Sequence, residues 1–193
     1  MARMYRGGVF PNHGWNNWFN ELDKSGGVLV DLSIHDFDFL RTIFGEVESV
    51  TARTIKKTPS HPGENRDHAL AIIRFKNGSL AHVEGSWAEP ENAPSKFRTS
   101  FEFVGTEGMI TYDSDEDFTM RIQTISEVHL AFSNTTPLGT DPYKHHIEQF
   151  IKAVEKKHEV PVDGNEAIEA LKISLAANKS AETGKPVKLT EVL

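Results

Sequence analysis

The amino-acid sequence predicts an α+β fold, a largely antiparallel open sheet with helices packed on one face. Three observations predict it: helical periodicity in Leu29 to Phe44, hairpin-forming strands from Val47 to Phe132, and a return to helix in the last third. Strands grouped in sequence and followed by helices fit a layered α+β domain better than alternating βαβ units.

The elements follow in order. Ala2 to Tyr5 reads as a short strand before Gly7-Gly8, and Asn16 to Leu22 as a helical turn ending near Gly26-Gly27. Val30, Ile34, Phe37, Leu40 and Phe44 recur every three or four residues, one face of a helix running from Leu29 to Phe44, with Gly45 as its stop. Val47 to Ile55 is a strand, and the polar segment Lys57 to Arg66, with Pro59, Pro62 and Gly63, is expected to be a mobile loop. Asn77-Gly78 between Asp67 to Phe75 and Ser79 to Trp87 predicts a hairpin with a two-residue type I′ turn. Pairing Lys76 with Ser79 places Leu70, Ile72, Val83 and Trp87 on one face, and Ile73, Phe75 and Leu80 on the other. Both faces are then apolar. Phe97 to Val104 and Met109 to Tyr112 form a second hairpin around Gly105 to Gly108, and Thr119 to Gln123 and Glu127 to Phe132 are further strands. Asp141-Pro142 opens a helix with the stripe Ile147, Phe150, Ile151 and Val154. Asp163 and Glu166, at capping-box spacing, open another through Ile168, Leu171 and Leu175 to Gly184.

Composition excludes several functions. The chain has 193 residues, which suits one domain, and no cysteine, so disulfides, thiolate metal sites and thiol nucleophiles are ruled out. Its 21 Lys and Arg against 28 Asp and Glu give a net charge of −7 with no basic block, the wrong footprint for nucleic acid. Apolar runs are far short of the roughly 20 residues of a membrane span, so a cytoplasmic, membrane-free protein is expected.

The candidate chemistry lies in Gly26-Gly27-Val28-Leu29-Val30-Asp31-Leu32-Ser33-Ile34-His35-Asp36-Phe37-Asp38. Asp31 and His35, four apart, share a helix face, which Asp38 and Thr42 extend. Imidazole suits proton transfer near neutrality, and a nearby aspartate orients a hydroxyl or steadies an imidazolium. The plain alternative is a solvated acid–imidazole pair. Trp15, Trp18 and Trp87 are candidate walls of a sugar-sized pocket, or else core. Arg6 is a candidate contact for an anionic group, or a surface arginine. His82 and Glu84 share a strand face without a third metal ligand at a recognisable spacing, and the adjacent His145 and His146 diverge on a helix. No metal site is assigned.

GGVLVDLSIHDFD, the Asn77-Gly78 hairpin, GTEGMITY at Gly105 to Tyr112 and the closing VPVDGNEAIEALKISLAANKSAETGKPVKL together resemble the C-terminal domain of the Gfo/Idh/MocA family of nicotinamide-dependent oxidoreductases. The family includes glucose-fructose oxidoreductase and inositol dehydrogenase, and the resemblance spans nearly the whole chain. It implies that Asp31 and His35 are catalytic and that the substrate is a sugar, polyol or related alcohol, for which Arg6, Trp15 and Trp87, read from the residues themselves, are the substrate-binding candidates. It also implies NAD or NADP in the complete enzyme, held by a Rossmann domain. Neither the Gly-x-Gly-x-x-Gly turn of that domain nor the family's Glu-Lys-Pro motif occurs here, and Gly184-Lys185-Pro186 is given no catalytic weight. Residues 1–193 are therefore expected to be a single substrate-binding and oligomerisation domain without cofactor-binding residues, inactive alone, and forming a homodimer or tetramer through the open sheet face. The rival expectation is a non-catalytic, self-associating binding or scaffold protein derived from that family.

Overall fold

A computed structural model describes residues 1–56, 66–117, 119–131, 141–156, 159–160 and 162–192, with backbone only at 129–131. The predicted loop Lys57 to Arg66 lies outside the described residues except for Arg66.

Nine strands form one sheet: β1 (Ala2–Gly8), β2 (Val47–Ile55), β3 (His68–Phe75), β4 (Leu80–Ser86), β5 (Phe97–Val104), β6 (Gly108–Asp113), β7 (Met120–Thr124), β8 (Val128–Ala131) and β9 (Val187–Lys188). Their order is β8-β7-β6-β5-β1-β4-β3-β2-β9, and every neighbouring pair is antiparallel except β1 with β4. The N-terminal strand thus enters the middle of the sheet, between two hairpin systems formed later in the chain. A short 3-10 segment (Trp15–Asn20) precedes the helices α1 (Leu22–Ser25), α2 (Val28–Asp31), α3 (Ile34–Phe44), α4 (Pro142–Lys156) and α5 (Gly164–Thr183).

The helix layer covers one side of the β1 to β4 half. Phe37 and Leu40 of α3, Ile173, Ala176 and Ala177 of α5, and Val50, Ile73, Phe75 and Val83 of the strands are fully buried together. Small residues let α5 lie close to β2, where Ser180 Oγ accepts from the Ala52 amide (2.9 Å) and donates to the Lys185 carbonyl (2.6 Å). Asp163 caps α5 as its spacing predicts, accepting from the amides of Asn165 (2.8 Å) and Glu166 (3.1 Å), and those bonds hold its carboxyl below the usual range. Asp141 caps α4 in the same way, through the amides of Tyr143 (2.8 Å) and Lys144 (3.1 Å). The predicted apolar stripe of α4 is present but uncovered, with Ile147, Phe150, Ile151 and Val154 between 47% and 63% exposed.

Two local readings need correction. The Asn77-Gly78 turn is a three-residue loop, because Phe75 N–H donates to the Ser79 carbonyl (3.0 Å) and Arg74 pairs with Leu80. Only Gly78, at φ 86°, is left-handed, whereas a type I′ turn needs two such residues. Asn77 instead bridges outward, its Nδ2 donating to the Phe44 carbonyl at the end of α3 (3.0 Å) while its Oδ1 accepts from the Ser79 amide (2.9 Å). One residue of register turns every side chain of one strand over. Val83 and Trp87 therefore join Ile73 and Phe75 in the core, and Leu80 joins Leu70 and Ile72 on the open face. The second correction is that Leu29 to Phe44 is not one helix. It breaks at Leu32 and Ser33, where the Ser33 amide reaches back five residues to the Val28 carbonyl (2.9 Å).

Candidate active site

The break follows from how tightly α2 and α3 lie on the sheet. Val28 and Leu29 are buried on one side, Phe37 and Leu40 on the other, and Ser33 between them is fully enclosed against Gly85 of β4, where any Cβ would collide with Ser33 Oγ. Upstream, Gly26 and Gly27 have φ of 69° and 72°, so the glycine pair is required by the turn from α1 into α2. The Gly26 carbonyl accepts from Asn178 Nδ2 of α5 (3.1 Å), which ties that turn to the helix layer.

Asp31 is thus the last residue of α2 and His35 the second of α3. They remain neighbours despite the break. Partial burial raises the Asp31 carboxyl above its ordinary range, and the charge of His35 pulls it part of the way back. Asp31 is half-buried and His35 exposed, so the pair faces outward. The grooves of about 590 Å³ on the open sheet face and about 370 Å³ beside α5 are lined by other residues.

The other candidates part company. Arg6 of β1 points at the helix layer, and its Nε (3.0 Å) and Nη2 (2.8 Å) both donate to Asp36 Oδ1, so its charge is already paired. Trp87 is 3% exposed and packs edge-on to Phe10 and Phe19, at 5.5 and 5.9 Å between ring centroids. It stands in the core cluster, where the corrected register turns it inward. Trp15 is 84% exposed and is followed by Asn16 and Asn17 in left-handed conformation, at φ 52° and 53°. His82 and Glu84 lie on the open face, and among the described residues no group of three or more potential metal-binding side chains is gathered. Asp36 escaped the sequence reading because its partner is 30 residues away. The only signal was a second acid beside His35, against the buried position 37.

The strand order and helix layer define the fold class, an open, largely antiparallel sheet with helices packed on one face. The levoglucosan dehydrogenase solved in complex with NADH superimposes with a TM-score of 0.78 at 20% identity, over 97% of this chain and 57% of that one. The family described as oxidoreductase family, C-terminal alpha/beta domain (Gfo/Idh/MocA) matches residues 2–189, and the chain belongs to it. It is similar to the myo-inositol 2-dehydrogenase of Thermotoga maritima, 31% identical over 88% of this chain and 51% of the relative. It is likewise similar to the uncharacterized oxidoreductase YrbE of Bacillus subtilis, 30% identical over 86% of this chain and 49% of the relative. The chain therefore spans about half the length of the curated relatives it matches. Among the described residues no helix is long and apolar enough to cross a membrane.

Proposed function

We propose that this chain is the substrate-binding half of an oxidoreductase that moves hydride between a sugar, polyol or related alcohol and NAD(P). The observation that carries this reading is the placement of Asp31 at the end of α2 and His35 in the first turn of α3, either side of the break, on the segment that also carries the family resemblance. In the direction of alcohol oxidation, His35 accepts the hydroxyl proton. The half-buried Asp31 holds that hydroxyl or the imidazole in place.

Among the described residues, the glycines at the end of β1 do not fit the dinucleotide. These glycines, Gly7 and Gly8, lead into an isolated bridge between Val9 and Ala88 and not into a helix N-terminus, so no cradle for a pyrophosphate forms there. The nicotinamide supplies the hydride chemistry in such enzymes, and holding it falls to residues outside this chain. Calorimetric titration of the 193-residue chain with NAD and NADP is expected to show no micromolar binding, with polyol-dependent turnover appearing once a dinucleotide-binding half is joined to it. Micromolar affinity of the chain alone would move the cofactor site onto it.

The same reading includes self-association through the open sheet face. Leu70, Ile72 and Leu80 stand there 42%, 54% and 50% exposed, a contiguous apolar strip beside the polar groove of β1 and β4. Light scattering at micromolar concentration is expected to give at least a dimer, and Ile72→Glu to weaken it. A wild-type monomer of 21.6 kDa would overturn the expectation.

A further inference from the structure

The reading of Asp31 and His35 leaves a costly carboxylate unexplained. Asp36 is fully buried in the first turn of α3. Its Oδ1 takes both hydrogen bonds from Arg6, while Oδ2 is enclosed without a partner, as is the nearby Ser33 Oγ. Burial raises the Asp36 carboxyl, against the opposing pull of the Arg6 bonds and charge and of the charge of His35.

A tie between β1 and α3 does not need an ion pair. Well-packed apolar side chains hold two elements together as well as a buried ion pair, and without the loss of hydration. What apolar packing cannot supply is a fixed negative charge next to His35. Nor can it supply direction, and here direction matters, because the break at Leu32 and Ser33 leaves the placing of His35 against Asp31 to whatever anchors α3. Among the described residues, the Arg6 clamp on Asp36 is the one side-chain hydrogen-bonded tie from segment 28–38 to another element. Among the described residues, Asp31 at the end of α2 and Asp36 of α3 act on His35 by charge, Asp38 follows one turn on in α3, and Arg6 of β1 is paired with Asp36.

We propose that Asp36, clamped by Arg6, is a positioning residue for His35: it orients the first turn of α3 toward Asp31 and keeps a buried negative charge behind the imidazole. Asp31 is open to a substrate and Asp36 is sealed from it, so two carboxylates beside one imidazole take separate roles. A corollary is that Arg6 is committed to Asp36 and does not meet an anionic substrate.

The proposal rests on the reading of His35 as the base, yet its test needs no turnover. In the labelled 193-residue chain, the His35 ring signals, identified by their loss in His35→Ala, are followed by NMR through the imidazole titration. Asp36→Asn keeps the shape and the acceptor for Arg6 but removes the charge, and is expected to move the His35 midpoint to lower pH by roughly one unit, the lower end of what a neighbouring opposite charge does. Asp36→Glu keeps the charge and is expected to restore the midpoint, although both variants melt earlier. A His35 midpoint unchanged in Asp36→Asn would overturn the proposal and reduce Asp36 to a tie. If Asp36→Asn does not fold, the Asp36 carboxyl carbon of the wild-type chain is followed instead. It is expected to step as His35 titrates, and a flat signal would overturn the proposal equally. Either failure leaves the base reading intact, whereas near-native turnover of His35→Ala in the complete enzyme would end that reading without altering the titration.

Discussion

His35→Ala, assayed with a dinucleotide-binding half present, is expected to lower turnover by roughly 10²–10⁴-fold with a smaller effect on substrate affinity, the cost of losing a positioned proton acceptor. His35 is exposed and donates to no helix cap, so the variant should unfold at nearly the wild-type temperature. Asp31→Asn is the companion test. It keeps the side-chain volume and removes the charge, so substrate affinity should fall along with turnover. Protonation of His35 also becomes less favourable, and the acid limb of the pH-rate profile should move to lower pH. The stability consequence has a definite sign. The folded-state carboxyl of Asp31 is raised, mainly by burial, so its ionisation opposes folding as pH rises through that raised value. Removing the charge should therefore leave stability at neutral pH unchanged or slightly higher, and a large loss of stability with near-native turnover would make the pair structural.

The legibility of this chain follows the range of the interactions concerned. Helix caps at Asp141 and Asp163 and the helix stop at Gly45 are set by groups a few residues apart, and each stands where local spacing placed it. The order of strands and helices was legible for the same reason. The parallel pairing of β1 with β4 was not, since it joins residues some eighty positions apart that carry no shared local signal. The hairpin register illustrates a finer limit. Asn77-Gly78 announces a turn, but whether two or three residues form it depends on whether Asn77 adopts a left-handed conformation, and here its side chain caps Phe44 of α3 instead. That single tertiary bond accompanies the register that sends Trp87 into the core and Leu80 to the surface. At the candidate site, Asp31 and His35 were legible from spacing and family resemblance. The break between them was not, because it depends on how closely β4 approaches at Gly85, nor was the Arg6–Asp36 clamp, which joins residues 30 positions apart.

Phe37→Ala and Phe39→Ala separate the two sides of α3, and their difference tests the helix face that the apolar spacing defines. Phe37 is fully buried among residues of the main core, so truncation removes a large side chain and leaves a cavity that the β1 to β4 strands and α5 cannot close. The expected loss is about 3–5 kcal/mol, a large part of the 5–15 kcal/mol typical of a domain. Phe39, two residues on, is 41% exposed and touches Phe101 and Phe103 at 6.0 and 5.8 Å between centroids. Losing those contacts is expected to cost about 1.5 kcal/mol or less. Urea unfolding of the two variants, with midpoint and slope measured together, reads the difference directly. Equal losses would mean that the α3 face is rotated from the one described, and with it the direction of His35 and Asp36. A large loss at Phe37 alone ties the seating of α3 to the core, on the helix side away from the exposed Phe39.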